Sequence, residues 1–410
     1  MSKNFPALHA SANDSVALEQ KIYVKLESVR GTMVLPTGSD FIYHIGGGSV
    51  NFVQPIESSP HKSGRHHTSV IKQKTETTWT IPTFFNIDTT LGSASPNEIS
   101  AGMKVLHKSM FGYEDLSTSP VYNTSQDPDI TFTIMEIGDV WAKQAPGCFV
   151  EACNMTFPGD GQAQAEWSGM GKTVLLVGIG KSVTNNNANT VTLATGEGKR
   201  FPVGAKVMII KDDNTKSTDT PAGTARTVTS VTGDVVTVDG AVLADADGTT
   251  DPVYLVYYEP ESPTSINDPQ TGLQGSITIA GFGAIDNCVR SLSISAANNH
   301  ELQDFCYGEE GLGGPLFTPG GRFTAEVSIE LNLNKELVAF INNLKEFDGD
   351  DITLILGDAT SRHLQIEIPK VIFPIPEIPV PETGTIPVTF TGNAYQTALD
   401  AADEITLSYL

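Results

Sequence analysis

The sequence predicts a mainly β protein: two tandem β-sandwich domains, each flanked by one helix, with a small β-barrel or sandwich inserted between them. Three observations carry that prediction. Apolar residues make up 39% of the 410 and charged residues only 18%, while Gly (38) and Pro (24) are frequent. Together with abundant Thr, Val, Ile and Ser, this is the composition of short strands joined by many turns. Helical periodicity is confined to two short stretches. The third observation is a repeat: one β-α-β unit occurs twice, and a repeated unit means repeated packing.

Five features recur in the same order. A strand-like run from Trp79 to Phe85 precedes an amphipathic stretch carrying Ile99, Met103, Leu106 and Met110. Likewise, Phe323 to Ile329 precedes one carrying Leu337, Phe340, Ile341 and Leu344. The tripeptide Asp-Ile-Thr follows each, at Asp129-Ile130-Thr131 and Asp351-Ile352-Thr353. Glu151 then precedes Phe157-Pro158 at the spacing that separates Glu367 from Phe373-Pro374. Last come Trp167-Ser168-Gly169 and Phe390-Thr391-Gly392. The boundaries expected from this are 1–177 for the first domain, 178–260 for the insertion and 261–410 for the second domain.

Element by element, residues 1–20 are polar and turn-rich and read as an arm. Lys21 to Ser28 alternates as a strand, and Gly46-Gly47-Gly48 marks a turn or bulge. Ser58 to Thr68 has turn chemistry between two apolar runs, the pattern of a long hairpin with a polar tip. The first helix is expected to open at Ser95 as N-cap, with Pro96 in its first turn, and to stop at Gly112. The second takes Asn334 as its cap, with Gly349 beyond its end. Each has a single apolar stripe, so each should cover a sheet.

The insertion opens with a polar, Asn-rich stretch from Thr184 to Asn189. Five β runs follow: Thr190 to Leu193, Ala205 to Lys211, Thr227 to Val231, Val235 to Val238 and Val253 to Tyr258. Gly233-Asp234 and Asp239-Gly240 supply turns between them. In the second copy a Gly-rich loop, Asn298 to Gly321, takes the place of the polar hairpin. Pro374 to Pro387 reads as an extended edge segment.

The formal net charge is −23. That argues against a surface that grips nucleic acid, which needs Lys and Arg to displace counterions. It suits high solubility, or a surface past which another polyanion slides. The four cysteines, Cys148, Cys153, Cys288 and Cys306, form no Cys-x-x-Cys pair and have no His at zinc-ligand spacing. Cys148 and Cys153 lie at odd separation, so opposite faces of one strand are expected. The N-terminus lacks a signal-peptide pattern and no apolar run approaches the ~20 residues of a membrane span, so a soluble, cytoplasmically made chain is expected, with no membrane partner.

Chemical motifs fail on inspection. Gly169 to Thr173 ends like a phosphate-binding loop, but Glu166 stands where its first Gly belongs; Gly178 to Ser182 fails likewise, with Leu175 there. His61, His66 and His67, with Lys62 and Arg65, form the only histidine cluster, without an acidic or Cys ligand in the segment. It reads as a polar hairpin tip, locally basic and suited to docking on an acidic surface of another copy. No nucleophile elbow and no isolated carboxylate pair occurs. The expectation is a protein that is not an enzyme and holds no cofactor or metal.

The N-terminal β segment, the long polar hairpin, the helix-flanked sandwich and the inserted β domain together resemble the tail tube (major tail) proteins of tailed bacteriophages. The resemblance rests on architecture and spans about four-fifths of the chain. It implies a structural virion protein, assembled in the host cytoplasm, whose domains join sheet to sheet into stacked rings with a continuous β wall. DNA would pass through the lumen without specific binding, and the tape measure, terminator and baseplate proteins would be further partners. Two tube domains per chain imply three chains per ring with pseudo-sixfold symmetry, six chains being the alternative. The resemblance places inter-ring contacts on the two hairpin loops, at His61, Lys62, Arg65, His66 and His67 and at Gly311, Gly313 and Gly314. The other readings are a carbohydrate- or host-surface-binding β protein and a baseplate ring component that does not polymerise.

Overall fold

A computed structural model describes residues 20–53, 56–58, 70–72, 76–87, 99–117, 119–125, 130–187, 189–211, 225–240, 253–260, 269–272, 275–280, 283–284, 289–301, 318–319, 321–344, 349–357 and 363–410. The protein is mainly β, with large antiparallel sheets and two α-helices among the described residues.

Eight strands follow one another edge to edge in the order Ser49–Val53, Glu76–Phe84, Gln164–Gly171, Ala142–Pro158, Val289–Ala297, Thr324–Asn332, Pro387–Ala394 and His363–Ile372. The first four come from one half of the sequence and the last four from the other. Within each half the ladders match. Trp167 faces Ile81 in the first and Phe390 faces Ile329 in the second. The N-terminal part of Ala142–Pro158 pairs with Phe132–Ile137, which pairs with Lys21–Leu26. Correspondingly, His363–Ile372 pairs with Asp350–Gly357, which pairs with Ser276–Ile279. Even the irregularity recurs: both of these ladders break register, between Ala145 and Cys148 and between Asp350 and Ile352.

The registers also correct the repeat as read from motifs. Trp167-Ser168-Gly169 and Phe390-Thr391-Gly392 do occupy equivalent places. A Cβ on Gly169 would lie 1.9 Å from the Phe149 carbonyl oxygen, and one on Gly392 would lie 2.4 Å from that of Ile372. Both positions therefore require glycine, because the neighbouring backbone fills the space. This makes Phe149 the counterpart of Ile372, so Glu151 cannot be the counterpart of Glu367, which lies five residues before Ile372. The Asp-Ile-Thr match slips too, since Ile134 and Ile352 are the equivalents by pairing.

The first helix, α1, spans Ala101–Phe111 and the second, α2, spans Lys335–Asn343. Ser100, rather than Ser95, caps α1: its hydroxyl accepts the Met103 N–H, and the first helical bond runs from Lys104 to the Ser100 carbonyl. Residues 88–98 lie outside the described part. Gly112 ends α1 at φ 81° and donates to the Lys108 carbonyl. Asn334 caps α2 through the Leu337 N–H. Leu106 and Met110 of α1, and Leu337, Phe340 and Ile341 of α2 with the following Leu344, pack into one core shared by both halves.

The insertion closes as a six-stranded barrel: Ile179–Asn187, Thr190–Leu193, Val235–Val238, Arg226–Thr232, Lys206–Lys211 and Val253–Tyr257, the last pairing back to the first. Five of these were expected. The sixth, Ile179–Asn187, runs through the start of the Asn-rich stretch, because closure gives its backbone a partner on both edges. The barrel is fastened to the first half. Its core is continuous with Tyr23, Met135, Ile137 and Ala142, and the Gln144 side chain exchanges two hydrogen bonds with the Lys206 backbone.

Cys148 and Cys153 both lie in the same core. An extra residue at the register shift between Val150 and Ala152 resets the alternation, so odd spacing does not separate them. Burial raises both thiol pKa values well above the ordinary one. Cys288 and Cys306 lie outside the described residues. No helix among the described residues is long and apolar enough to cross a membrane.

Candidate functional site: the sheet junction and its two open edges

The two halves meet where Ala152–Pro158 pairs with Ser291–Ala297. Alternation buries Cys153, Met155 and Phe157 on one side of the first strand and Leu292, Ile294 and Ala296 on one side of the second. Main-chain bonds close the seam at both ends: Asn298 N–H to the Glu151 carbonyl (2.8 Å) and Gly159 N–H to the Arg290 carbonyl (2.9 Å). Side chains reinforce it. Ser295 donates to Asn154 Oδ1 at 2.7 Å, and the Glu151 carboxylate accepts the His300 N–H and meets its Nδ1 at 3.0 Å.

The opposite face of the eight-stranded sheet is polar. It carries Thr78, Thr80, Gln164, Glu166, Ser168, Asn154, Thr156, Ser293, Ser295, Thr324, Glu326, Ser328, Glu330, Thr389, Thr391 and Asn393, all exposed or half-buried. One positive charge at its rim, Arg290, is taken up by Glu330 at 2.7 Å. Such a face has hydroxyls and carboxylates but little with which to hold a phosphate chain.

Two edges of this sheet are open among the described residues. At one end, Ser49–Val53 pairs with Glu76–Phe84 alone among the described strands. Its outward backbone is partly covered by its own chain. Glu136, 1% exposed, accepts the Val50 N–H at 2.8 Å, and Lys143 donates to the Val50 carbonyl at 2.7 Å and to Glu136 at 3.0 Å. Gln20 Nε2 bridges the Gly48 carbonyl and Glu136, both at 2.7 Å. At the other end, His363–Ile372, itself paired with Asp350–Gly357 and Thr406–Tyr409, runs on into a Pro-rich stretch in which no residue from Pro374 to Glu382 joins a ladder.

The predicted contact residues His61, Lys62, Arg65, His66, His67, Gly311, Gly313 and Gly314 all lie outside the described residues. The bases of their loops are described: Ile56–Ser58 pairs with Val70–Lys72, and His300–Glu301 with Thr318–Pro319. The motif reading overlooked Gln20, Glu136 and Lys143. The signal for Glu136 and Lys143 was a charged residue inside the fully buried strand Phe132–Ile137, apolar but for Thr133 and Glu136, and a Lys six residues on from its end.

His107 is the fully buried histidine of the core. Its Nδ1–H donates to the Met103 carbonyl at 2.7 Å and its Nε2 accepts from the Tyr409 hydroxyl at 3.0 Å. Desolvation pushes its pKa down to about 4, outweighing the backbone hydrogen bond. The imidazole is therefore neutral and packs among Tyr122, Trp167 and Phe85. Among the described residues no group of three His, Cys, Asp or Glu side chains could hold a metal ion. Comparison with protein-family models and with curated proteins returns no match.

Proposed function

We propose that this chain is a structural wall protein of a bacteriophage tail tube, its two halves acting as two tube domains and three chains closing a ring of pseudo-sixfold symmetry. The observation that supports it best is the continuous sheet made of two matched sets of four strands, joined edge to edge, with Ser49–Val53 unpaired on its outer side and the 374–382 continuation of the last strand in no ladder. A sheet that repeats itself inside one chain and stops with unpaired edges is a segment of a closed wall, and closure removes the edges that otherwise aggregate.

The dimensions agree. Three copies contribute 24 strands; at about 4.8 Å between strands and about 40° of tilt, the barrel has a backbone radius of about 24 Å. With side chains subtracted, that leaves a lumen wide enough for a DNA duplex. The polar face described above would line it, its carboxylates discouraging adhesion of a polyanion. The helices and the barrel lie on other surfaces, where the barrel decorates the outside. Stacked rings would then meet tape measure, terminator and baseplate proteins at the ends of the tube.

Electron microscopy of the purified full chain tests this. Hollow tubes or rings with threefold symmetry are expected. A protein that stays monomeric at all concentrations overturns the reading, and rings of six chains overturn the stoichiometry.

A further inference from the structure

The internal junction is a template for the contact between chains. Residues 374–382 follow His363–Ile372 as residues 151–159 follow the first part of Ala142–Pro158, given the equivalence of Phe149 and Ile372. On that equivalence Cys153, Met155 and Phe157 correspond to Pro376, Ile378 and Val380, and Pro158 corresponds to Pro381. Apolar alternation is kept and the closing proline matches. The difference is burial: Met155 and Phe157 are 1% and 2% exposed, whereas Ile378 and Val380 are 42% and 75% exposed. Two apolar side chains stand in water where their counterparts are covered by the next unit.

The strand that would cover them is also present. Ile294 faces Val327 as Val50 faces Trp79, so Ser49–Val53 is the counterpart of the Ser293–Ala297 part of the junction. Phe52 and Val53 are 43% and 60% exposed there.

We propose that residues 374–382 of one chain add as an antiparallel strand to Ser49–Val53 of a second copy, in the register of the internal junction. This rests on the tube-wall reading and specifies its seam. The register pairs Ile378 with Val50 and Ile375 with Val53. The junction bonds at Glu151 and Gly159 place the odd residues of that strand toward its partner, so Ile378, Val380 and Glu382 supply the corresponding donors. Pro374 and Pro376 supply none. Prolines at an edge also oppose pairing in other registers, a known guard against edge-to-edge aggregation. Completing the ladder at Val50 exchanges its bonds to Glu136 and Lys143 for bonds to Ile378, while Glu136 and Lys143 keep each other. Gln20, Glu136 and Lys143 thus cap the edge in the free chain.

The contact cannot be made within one chain. The two edges are separated by the eight-stranded sheet, about 34 Å at about 4.8 Å per step. Ile375 and Val53 form a non-hydrogen-bonded antiparallel pair, with Cα atoms about 4.5 Å apart, which a disulfide can bridge. The test is oxidation of the full chain carrying Ile375→Cys and Val53→Cys, with the parent chain and an Ile375→Cys, Asn51→Cys chain as controls, alongside electron microscopy. Head-to-tail covalent oligomers from the first pair alone are expected. Rings or tubes without that cross-link, or equal cross-linking of the slipped pair, overturn the seam and leave the tube-wall reading standing. Absence of any assembly overturns both. Independently, Ile378→Asp is expected to leave the circular dichroism of the monomer unchanged and to raise the concentration needed for assembly at least about tenfold. Unchanged assembly of that variant overturns the seam.

Discussion

Replacing His107 by Phe should remove a specific part of the acid sensitivity of this protein. The imidazole is fully buried, with its pKa pushed down from 6.5 to about 4 by desolvation. The folded state therefore binds fewer protons than the unfolded state between those two values. The stabilising contribution is complete above about pH 6.5 and is lost progressively as the pH falls toward about 4. Over the whole window the loss is about 3 kcal/mol, and about 2 kcal/mol of it falls between about pH 7 and about pH 5. Geometry explains why: a proton on Nε2 would face the Tyr409 hydroxyl, which already donates there at 3.0 Å and has to find another acceptor. Phe keeps the ring contacts with Trp167 and Tyr122 but leaves the Tyr409 hydroxyl and Met103 carbonyl without His107, a penalty of about 1–3 kcal/mol at every pH. The assay is urea denaturation followed by tryptophan fluorescence, run on both proteins across this range. The parent should be the more stable at about pH 7 and lose about 2 kcal/mol more than the variant by about pH 5. Parallel profiles would refute the reasoning.

Glu136→Ala should destabilise the chain by about 3–5 kcal/mol in the same assay, because it leaves Lys143 without its carboxylate and the Val50 N–H without an acceptor. Glu136→Gln, which keeps an acceptor, should lose less. Gly169→Ala should cost about 3 kcal/mol through collision with the Phe149 carbonyl, whereas Gly46→Ala, with nothing within 4 Å of its Cβ, should stay within about 0.5 kcal/mol of the parent; differential scanning calorimetry checks both.

Much of the fold was legible from local chemistry. The Asn334 cap, the Gly112 stop and the apolar stripes of both helices act within a few residues, so spacing alone reveals them. The barrel strands showed themselves by β-branched runs between turns. The repeat was legible too, though only one of its motif matches coincides with the ladder. Glu367 and Glu151 stand at the same distance from a Phe-Pro pair, yet they are not equivalent in the ladders, because register is a property of pairing rather than of one segment. The same limit explains Cys148 and Cys153, whose alternation is reset by a bulge that exists only against Gln164–Gly171. Glu136 and Lys143 are neighbours in sequence, but the cap they form reaches Gln20 and Val50 about a hundred residues away, so no local pattern announces what they cover.

By itself, the sequence determined a β-rich chain with two helical stretches and an inserted run of short strands, readable as a barrel or a sandwich, because composition, caps, turns and alternation are local quantities. Only the tertiary structure decided that eight strands from the two halves form one continuous sheet, that Ser49–Val53 and residues 374–382 are its unpaired segments, and where Ile378 and Val380 lie relative to water. Those facts depend on which backbone finds which partner, and that is settled by the packing of the whole chain.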